Sequence, residues 1–170
     1  MLRSLVGSEM CISNRYRSEE MVIDPLTQAR FDAGTEVGEL AKRLFGDFVE
    51  ATTYKTAADG TQRLDLGAMA AATQKALTEG AENIAEAAFI YDGCYCAVDL
   101  LHKTPHGYAI YEVKSSTDLK ELEVYAQDVA YQKYVLTNCG LNITGTYLVN
   151  IDNEYVLDGK LDVKGFFRIN

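Results

Sequence analysis

Tryptophan is absent from the 170 residues, prolines number two, histidines two and cysteines four. So few prolines exclude a rigid Pro-rich linker. The cysteines (Cys11, Cys94, Cys96 and Cys139) contain no CxxC pair, and only His102 and His106 could complete a zinc site, so no zinc-site spacing is present. Long apolar runs are also missing: none approaches the roughly 18 residues of a membrane-spanning helix, and no membrane partner is expected. The opening MLRSLVGSEMCISNRYRSEE lacks the apolar stretch and cleavage site of a secretory leader. A cytoplasmic chain with reduced, partly buried thiols is the expectation. Basic charge is scarce too, with 16 bases against 25 acids and a net charge of −9. That balance argues against holding nucleic acid by a broad basic stripe. It leaves room for carboxylates gathered around a divalent cation, because the ion inverts the local field.

What is present is an ordinary globular mixture, 48% hydrophobic and 24% charged, with no internal repeat. Residues 1–30 read as a weakly patterned lead-in, and 31–170 as one domain. Val37, Leu40, Ala41, Leu44 and Phe45 form the apolar stripe of an amphipathic helix, capped by Thr35 and stopped at Gly46. Residues 47–55 predict a strand, Asp59-Gly60 a turn, and the alanine-rich stretch from Leu66 to Glu79 a second helix ended by Gly80. Three strands follow, over about 83–91, 95–102 and 107–114, with turns at Asp92-Gly93 and Pro105-His106-Gly107. This is an antiparallel meander. A helix over about 119–138, a strand over 143–150 and a further strand beginning at 153–157 complete the pattern. The order predicts an α/β (α+β) fold, a mixed β-sheet flanked by helices. The ending FFRIN, without a closing helix, suggests a domain cut from a longer protein.

The chemistry concentrates between Glu86 and Tyr131. Glu112 and Lys114, two apart on the third meander strand, share a face, whereas Tyr111 and Val113 point the other way. Asp99 interrupts the apolar run Cys96-Ala-Val-Asp-Leu-Leu101 on the strand before, and Glu86 lies among alanines on the strand before that. If the strands pair in sequence, three acids and one lysine converge. Such a cluster repels itself unless a cation sits among the carboxylates. Hard oxygen donors suit Mg²⁺ or Mn²⁺, which lead to metal-assisted phosphodiester hydrolysis.

Asp99, with Glu112-Val113-Lys114 thirteen residues later across a turn, resembles the core of the PD-(D/E)XK nucleases. The closer likeness is to the RecB-like exonuclease branch, which includes CRISPR-associated members. Glu86 in Ala85-Glu-Ala-Ala-Phe89, Asp99 in Ala97-Val-Asp-Leu100, the Glu112-Val-Lys-Ser-Ser116 strand end and Gln127-Asp-Val-Ala-Tyr131 occur in that branch's order. The resemblance spans roughly residues 34–150 and implies a restriction-endonuclease-like fold. It also implies a metal-dependent (exo)deoxyribonuclease that binds DNA. By the same resemblance Glu86, Asp99, Glu112 and the Val113 carbonyl bind Mg²⁺ or Mn²⁺, with Asp99, Glu112 and Lys114 catalytic. Gln127 and Tyr131 touch substrate or support the lysine. Two departures stand out. Gly38 occupies the position where many relatives of that branch carry a histidine, so Glu36 or Glu39 would have to compensate, or the number of metals differs. No cysteine cluster follows Cys139, so no iron–sulfur cluster is expected.

Plainer readings exist for each signal. Glu112 and Lys114 could be a solvated same-face ion pair, and Glu86 an exposed residue on an alternating strand. Gln127 and Tyr131 could simply pack a helix on the sheet. Tyr95, Tyr108 and Tyr125 could stack on unpaired bases or serve packing. His102 and His106 read as solvent-exposed beside a turn, and Lys120 and Lys133 as solvating a helix face. As a whole, the alternative to a nuclease is a catalytically silent nuclease-like module that binds nucleic acid or protein. A small-molecule phosphohydrolase would share the metal logic.

Overall fold

The computed structural model describes residues 25–117 and 122–170. Helix α1 spans Pro25–Ala41, followed by β1 (Val49–Glu50), the hairpin β2 (Tyr54–Thr56) and β3 (Gln62–Leu64), and helix α2 (Leu66–Thr78). The meander β4 (Asn83–Tyr91), β5 (Cys94–Thr104) and β6 (Gly107–Lys114) comes next. Helix α3 (Leu122–Asn138), β7 (Ile143–Ile151), the short α4 (Val163–Phe166) and β8 (Phe167–Ile169) complete the order. The main sheet runs β1-β4-β5-β6-β7-β8. The pairs β1–β4 and β6–β7 are parallel and the others antiparallel, so the sheet is mixed and flanked by helices, as its sequence predicts.

Local chemistry explains most of these limits. Asp65 caps α2 by accepting from the Ala68 amide, and Gly80, at φ +81°, supplies the left-handed residue just past its end. Helix α1 starts at Pro25, ten residues before the expected cap, so the lead-in boundary at residue 30 falls inside it. Thr35 lies mid-helix and returns its hydroxyl to the Phe31 carbonyl. Pro at the first helical position is well suited there, because its missing amide would be unpaired anyway. The strand expected over 47–55 splits into β1 at Val49–Glu50 and the start of β2 at Tyr54, and β8, not 153–157, closes the sheet against β7.

One face of the sheet packs on α2 and α3 through Ala76, Ile84, Val98, Ile110, Val135 and Leu136. The other packs on α1 and the α4–β8 segment through Ala41, Leu44, Leu100, Tyr111, Val149 and Phe167. Thr73 ties α2 to the sheet: wholly buried, it accepts from the Ala88 amide at 2.9 Å and donates to the Met69 carbonyl at 3.0 Å. Thr73→Val keeps the shape and strands that amide in a dry interior. The expected cost is about 1–3 kcal/mol, read as a lower midpoint in denaturant unfolding.

Gly107 opens β6 at φ +155°, where an added Cβ would collide with the Asn142 carbonyl, the acceptor of the Tyr108 amide. Backbone must move to admit any side chain there. Gly107→Ala is expected to destabilise by roughly 2–4 kcal/mol, measured as a drop in Tm.

His102 is not exposed. It is half-buried, stacks on Phe45 at 4.4 Å between ring centroids, and bonds Asn83 Oδ1 through Nδ1 at 2.6 Å. Burial lowers its pKa, against a weaker pull upward from Glu82. His106 is exposed, as expected. Cys94 and Cys96 are free thiols packed toward the α2–α3 face, and burial pushes Cys96 up to about 12, with Cys139, Cys94 and Glu112 adding to it.

Candidate functional site

Strand register brings the predicted acids into one row. The β4–β5 ladder pairs Ala85 with Leu100 and Ala87 with Val98, which sets Glu86 opposite Asp99. The β5–β6 ladder ends at Leu100 and Tyr111, so the next position sets Asp99 opposite Glu112. There the two strands part. Residues 94–98 of β5 pair only with β4, while 112–114 of β6 pair only with β7. The Val113 amide, released from the β5 ladder, donates to Asp99 Oδ2 at 2.7 Å. Asp99 and Glu112 thus stand at the apex of a V-shaped opening in the sheet.

The pleat is broken at the same level. Along β4 the α2–α3 face receives Ile84, then Ala87 and Phe89; along β5 it receives Cys96 and Val98, then Leu101. Ala85 and Leu100 face the opposite core. Strict alternation would run from 84 to 86 and from 98 to 100, so each strand slips by one residue, at Glu86 and at Asp99. Glu86 carries the backbone signature of that slip, a left-handed φ of +53°. A glutamate has no glycine-like freedom there, and such strain persists only where the surroundings impose it.

Lys114 completes the cluster. Its ammonium lies 2.7 Å from Glu112 Oε1, 3.7 Å from Asp128 Oδ2 and 4.8 Å from the centre of the Tyr125 ring. Gln132 donates to the other oxygen of Glu112 at 2.8 Å. Asp128 and Gln132, each 7% exposed, are i, i+4 on α3 and share the face that looks onto the sheet. Gln132 Oε1 is buried with no hydrogen-bond partner. On β7, Asn150 lies level with Lys114, is buried, and donates to the Thr117 and Ile151 carbonyls, pinning the turn that leaves β6.

The electrostatics follow from this crowding. Burial, then the neighbouring Glu112 and Glu86 charges, hold the Asp99 carboxyl well above the ordinary aspartate value; the Val113 amide and Lys114 only partly oppose them. For Lys114 burial pulls the pKa down, but Glu112, Asp99 and Asp128 together outweigh it and leave the ammonium more firmly protonated than usual.

Of the residues expected on α3, Gln127 is exposed, and Tyr131 spends its hydroxyl on the Tyr95 carbonyl at 3.0 Å, steadying the start of β5. The α3 residues that touch the Lys114–Glu112 pair are their neighbours Asp128 and Gln132, with Tyr125 beneath the ammonium. A polar pair spaced by four among Val129, Val135 and Leu136 was the available signal for them. Tyr95, half-buried, places its hydroxyl 3.7 Å from Met69 Sδ, and Tyr108 packs against the core. Lys133 is exposed, and Lys120 lies outside the described residues. Glu39 is engaged elsewhere: with Glu50 it pairs to the buried Lys42 at 2.7 and 2.6 Å, joining α1 to β1.

The donor set fits a hard dication in kind: three carboxylates in one row, the central one with a raised pKa. Their oxygens are not gathered for one, since among the described residues no three His, Cys, Asp or Glu side chains come together as a metal-ligating group. Also among the described residues, no helix is long and apolar enough to cross a membrane. Comparison with protein-family models, with curated proteins and with solved structures gave no match to this chain.

Proposed function

We propose that this chain is a metal-dependent phosphodiester hydrolase acting on nucleic acid, DNA in the first instance. The observation that carries the proposal is the row Glu86–Asp99–Glu112 at the apex of the parted strands, with Lys114 beside it. In this reading Asp99, Glu112, Glu86 and the Val113 carbonyl would hold Mg²⁺ or Mn²⁺. The bound ion would supply a water of lowered pKa and offset charge growing on the phosphate. Lys114, kept protonated by its carboxylate neighbours, offers N–H donors to the phosphate oxygens where negative charge builds. In this reading the substrate would approach the row where β5 and β6 part, beside Tyr125 and α3. The order of elements, a meander joined by a helix to a fourth strand parallel to the third, is compatible with the PD-(D/E)XK resemblance.

Incubation of the purified protein with linear DNA and Mn²⁺ tests the reading. Cleavage that stops on chelation and returns with added metal is the expected result. A second reading, a module that binds without cutting, draws support from one feature: both oxygens of Glu112 are already engaged, by Lys114 and Gln132. Absence of Mn²⁺ binding, or binding indifferent to Asp99→Ala, would establish that reading instead.

A further inference from the structure

Resting on the reading above, we propose that the α3 face built by Asp128 and Gln132 is a second berth for Lys114. The ammonium moves there when a divalent cation claims Glu112. Asp128 and Gln132 are positioning residues in this scheme, acting through the lysine.

Three observations lead to it. First, each oxygen of Glu112 already has a partner: Lys114 holds Oε1 at 2.7 Å and Gln132 holds Oε2 at 2.8 Å. A cation ligated at Oε1 would repel the ammonium held on that same oxygen and drive it toward other acceptors. Second, a displaced ammonium in a half-buried pocket needs new acceptors, since an unpaired buried charge is heavily penalised. Asp128 Oδ2 already stands 3.7 Å away, beyond a good hydrogen bond and within a small shift of one. Third, Gln132 Oε1 is buried without a donor although its own amide nitrogen is engaged at Glu112. Buried amide oxygens are rarely left so, and a site that fills only in another state of the molecule accounts for it. Asp128 and Gln132 are one helical turn apart, so the carboxylate and the amide oxygen offer two acceptors on one face of α3, with the Tyr125 ring 4.8 Å from the ammonium as a third contact.

The scheme makes Lys114 and the cation competitors for Glu112, with Asp128 relieving the competition. Three consequences can be read from Mn²⁺ affinity by calorimetry at neutral pH, without any measurement of cleavage. Lys114→Met, which removes the competitor, tightens Mn²⁺ binding. Asp128→Asn weakens it about tenfold, roughly the effect of losing one close charge partner. In the Lys114→Met background the same Asp128→Asn change moves the affinity by less than about twofold, because its effect passes through the lysine. A purely structural Asp128 would weaken binding equally in both backgrounds, and that equality overturns the proposal. So does a Lys114→Met variant that binds Mn²⁺ no better than the unmodified chain.

A measurement on the unmodified protein covers the case of a variant that does not fold. The ¹⁵Nζ resonance of Lys114 should shift on saturation with Mg²⁺ while its N–H protons stay protected from exchange. No shift, or loss of protection, counts against the berth. If the unmodified chain binds neither ion, this proposal and the hydrolase reading both fall. If it binds Mn²⁺ through Asp99 but fails the cycle above, only the berth is lost.

Discussion

Lys114→Ala and Asp99→Ala are each expected to reduce Mn²⁺-dependent DNA cleavage by about 10³-fold or more, roughly 4 kcal/mol of transition-state stabilisation. The two losses should differ in kind. Asp99 stands at the centre of the acid row, opposite both Glu86 and Glu112, so its removal takes away metal affinity together with turnover. In the proposed reading Lys114 contributes charge and N–H donors, so its variant should retain the metal and lose the rate. Gln127→Ala makes a useful contrast: that side chain is exposed on α3, and cleavage should fall by less than about threefold if it touches only solvent. Initial rates at saturating Mn²⁺, set beside metal affinities, check all three. Rates within a factor of two of the unmodified chain for both Lys114→Ala and Asp99→Ala would remove the hydrolase assignment.

Asp99→Asn is expected to make the metal-free protein more stable at neutral pH, an unusual direction for a change at a part-buried, hydrogen-bonded polar site. Burial and two neighbouring carboxylates raise the Asp99 pKa well above its ordinary 3.8. Between that ordinary value and the raised one, the folded chain binds a proton that the unfolded chain has released. Stability therefore declines as pH rises through this window, and once Asp99 is ionised the fold carries the full penalty. The amide removes the charge and keeps an oxygen to accept from the Val113 N–H. A gain of about 1–2 kcal/mol, or a Tm rise of roughly 2–8 °C, is the expected size for relieving one strained functional position. The difference should shrink toward pH 4, where the native aspartate is also neutral, and reverse on adding Mn²⁺ in the proposed reading, because a carboxylate holds the ion far more tightly than a neutral amide oxygen. Thermal melts across pH 4–8, with and without the ion, measure it; an Asp99→Asn protein that melts lower at pH 7 contradicts the electrostatic account. Lys114 behaves oppositely. Its raised pKa gives a contribution fully present below 10.5 and lost only as pH climbs through the higher folded value.

Much of the site was legible in the chain because a meander has few degrees of freedom. Two tight turns, at Asp92-Gly93 and before Gly107, fix the pairing, and a two-residue period then decides which side chains share a face. Glu112 and Lys114 follow from that period alone. Glu86 and Asp99 required more. By strict alternation with Ile84, Glu86 would share a face with Ala88, yet the face passes to Ala87 and Phe89. That slip rests on a left-handed glutamate, which no propensity favours.

The helix was harder, because each residue turns the face by about 100°. Shifting the inward pair by one position exchanges Gln127 and Tyr131 for Asp128 and Gln132, and the amphipathic pattern of α3 is too shallow to choose between them. The choice was made by Val135 and Leu136, wholly buried against the sheet, which set the helix's rotation.

The sequence alone, then, determined the meander, its turns, the helices that flank it and the row of acids that pairing in order must create, since all of these are local patterns joined by short connections. Only the tertiary structure decided that β1 would lie parallel beside β4 and β8 antiparallel beside β7. It also decided where β5 and β6 part, and which side of α3 meets Lys114. Those outcomes depend on contacts between residues far apart in the chain, whose energies no local pattern encodes.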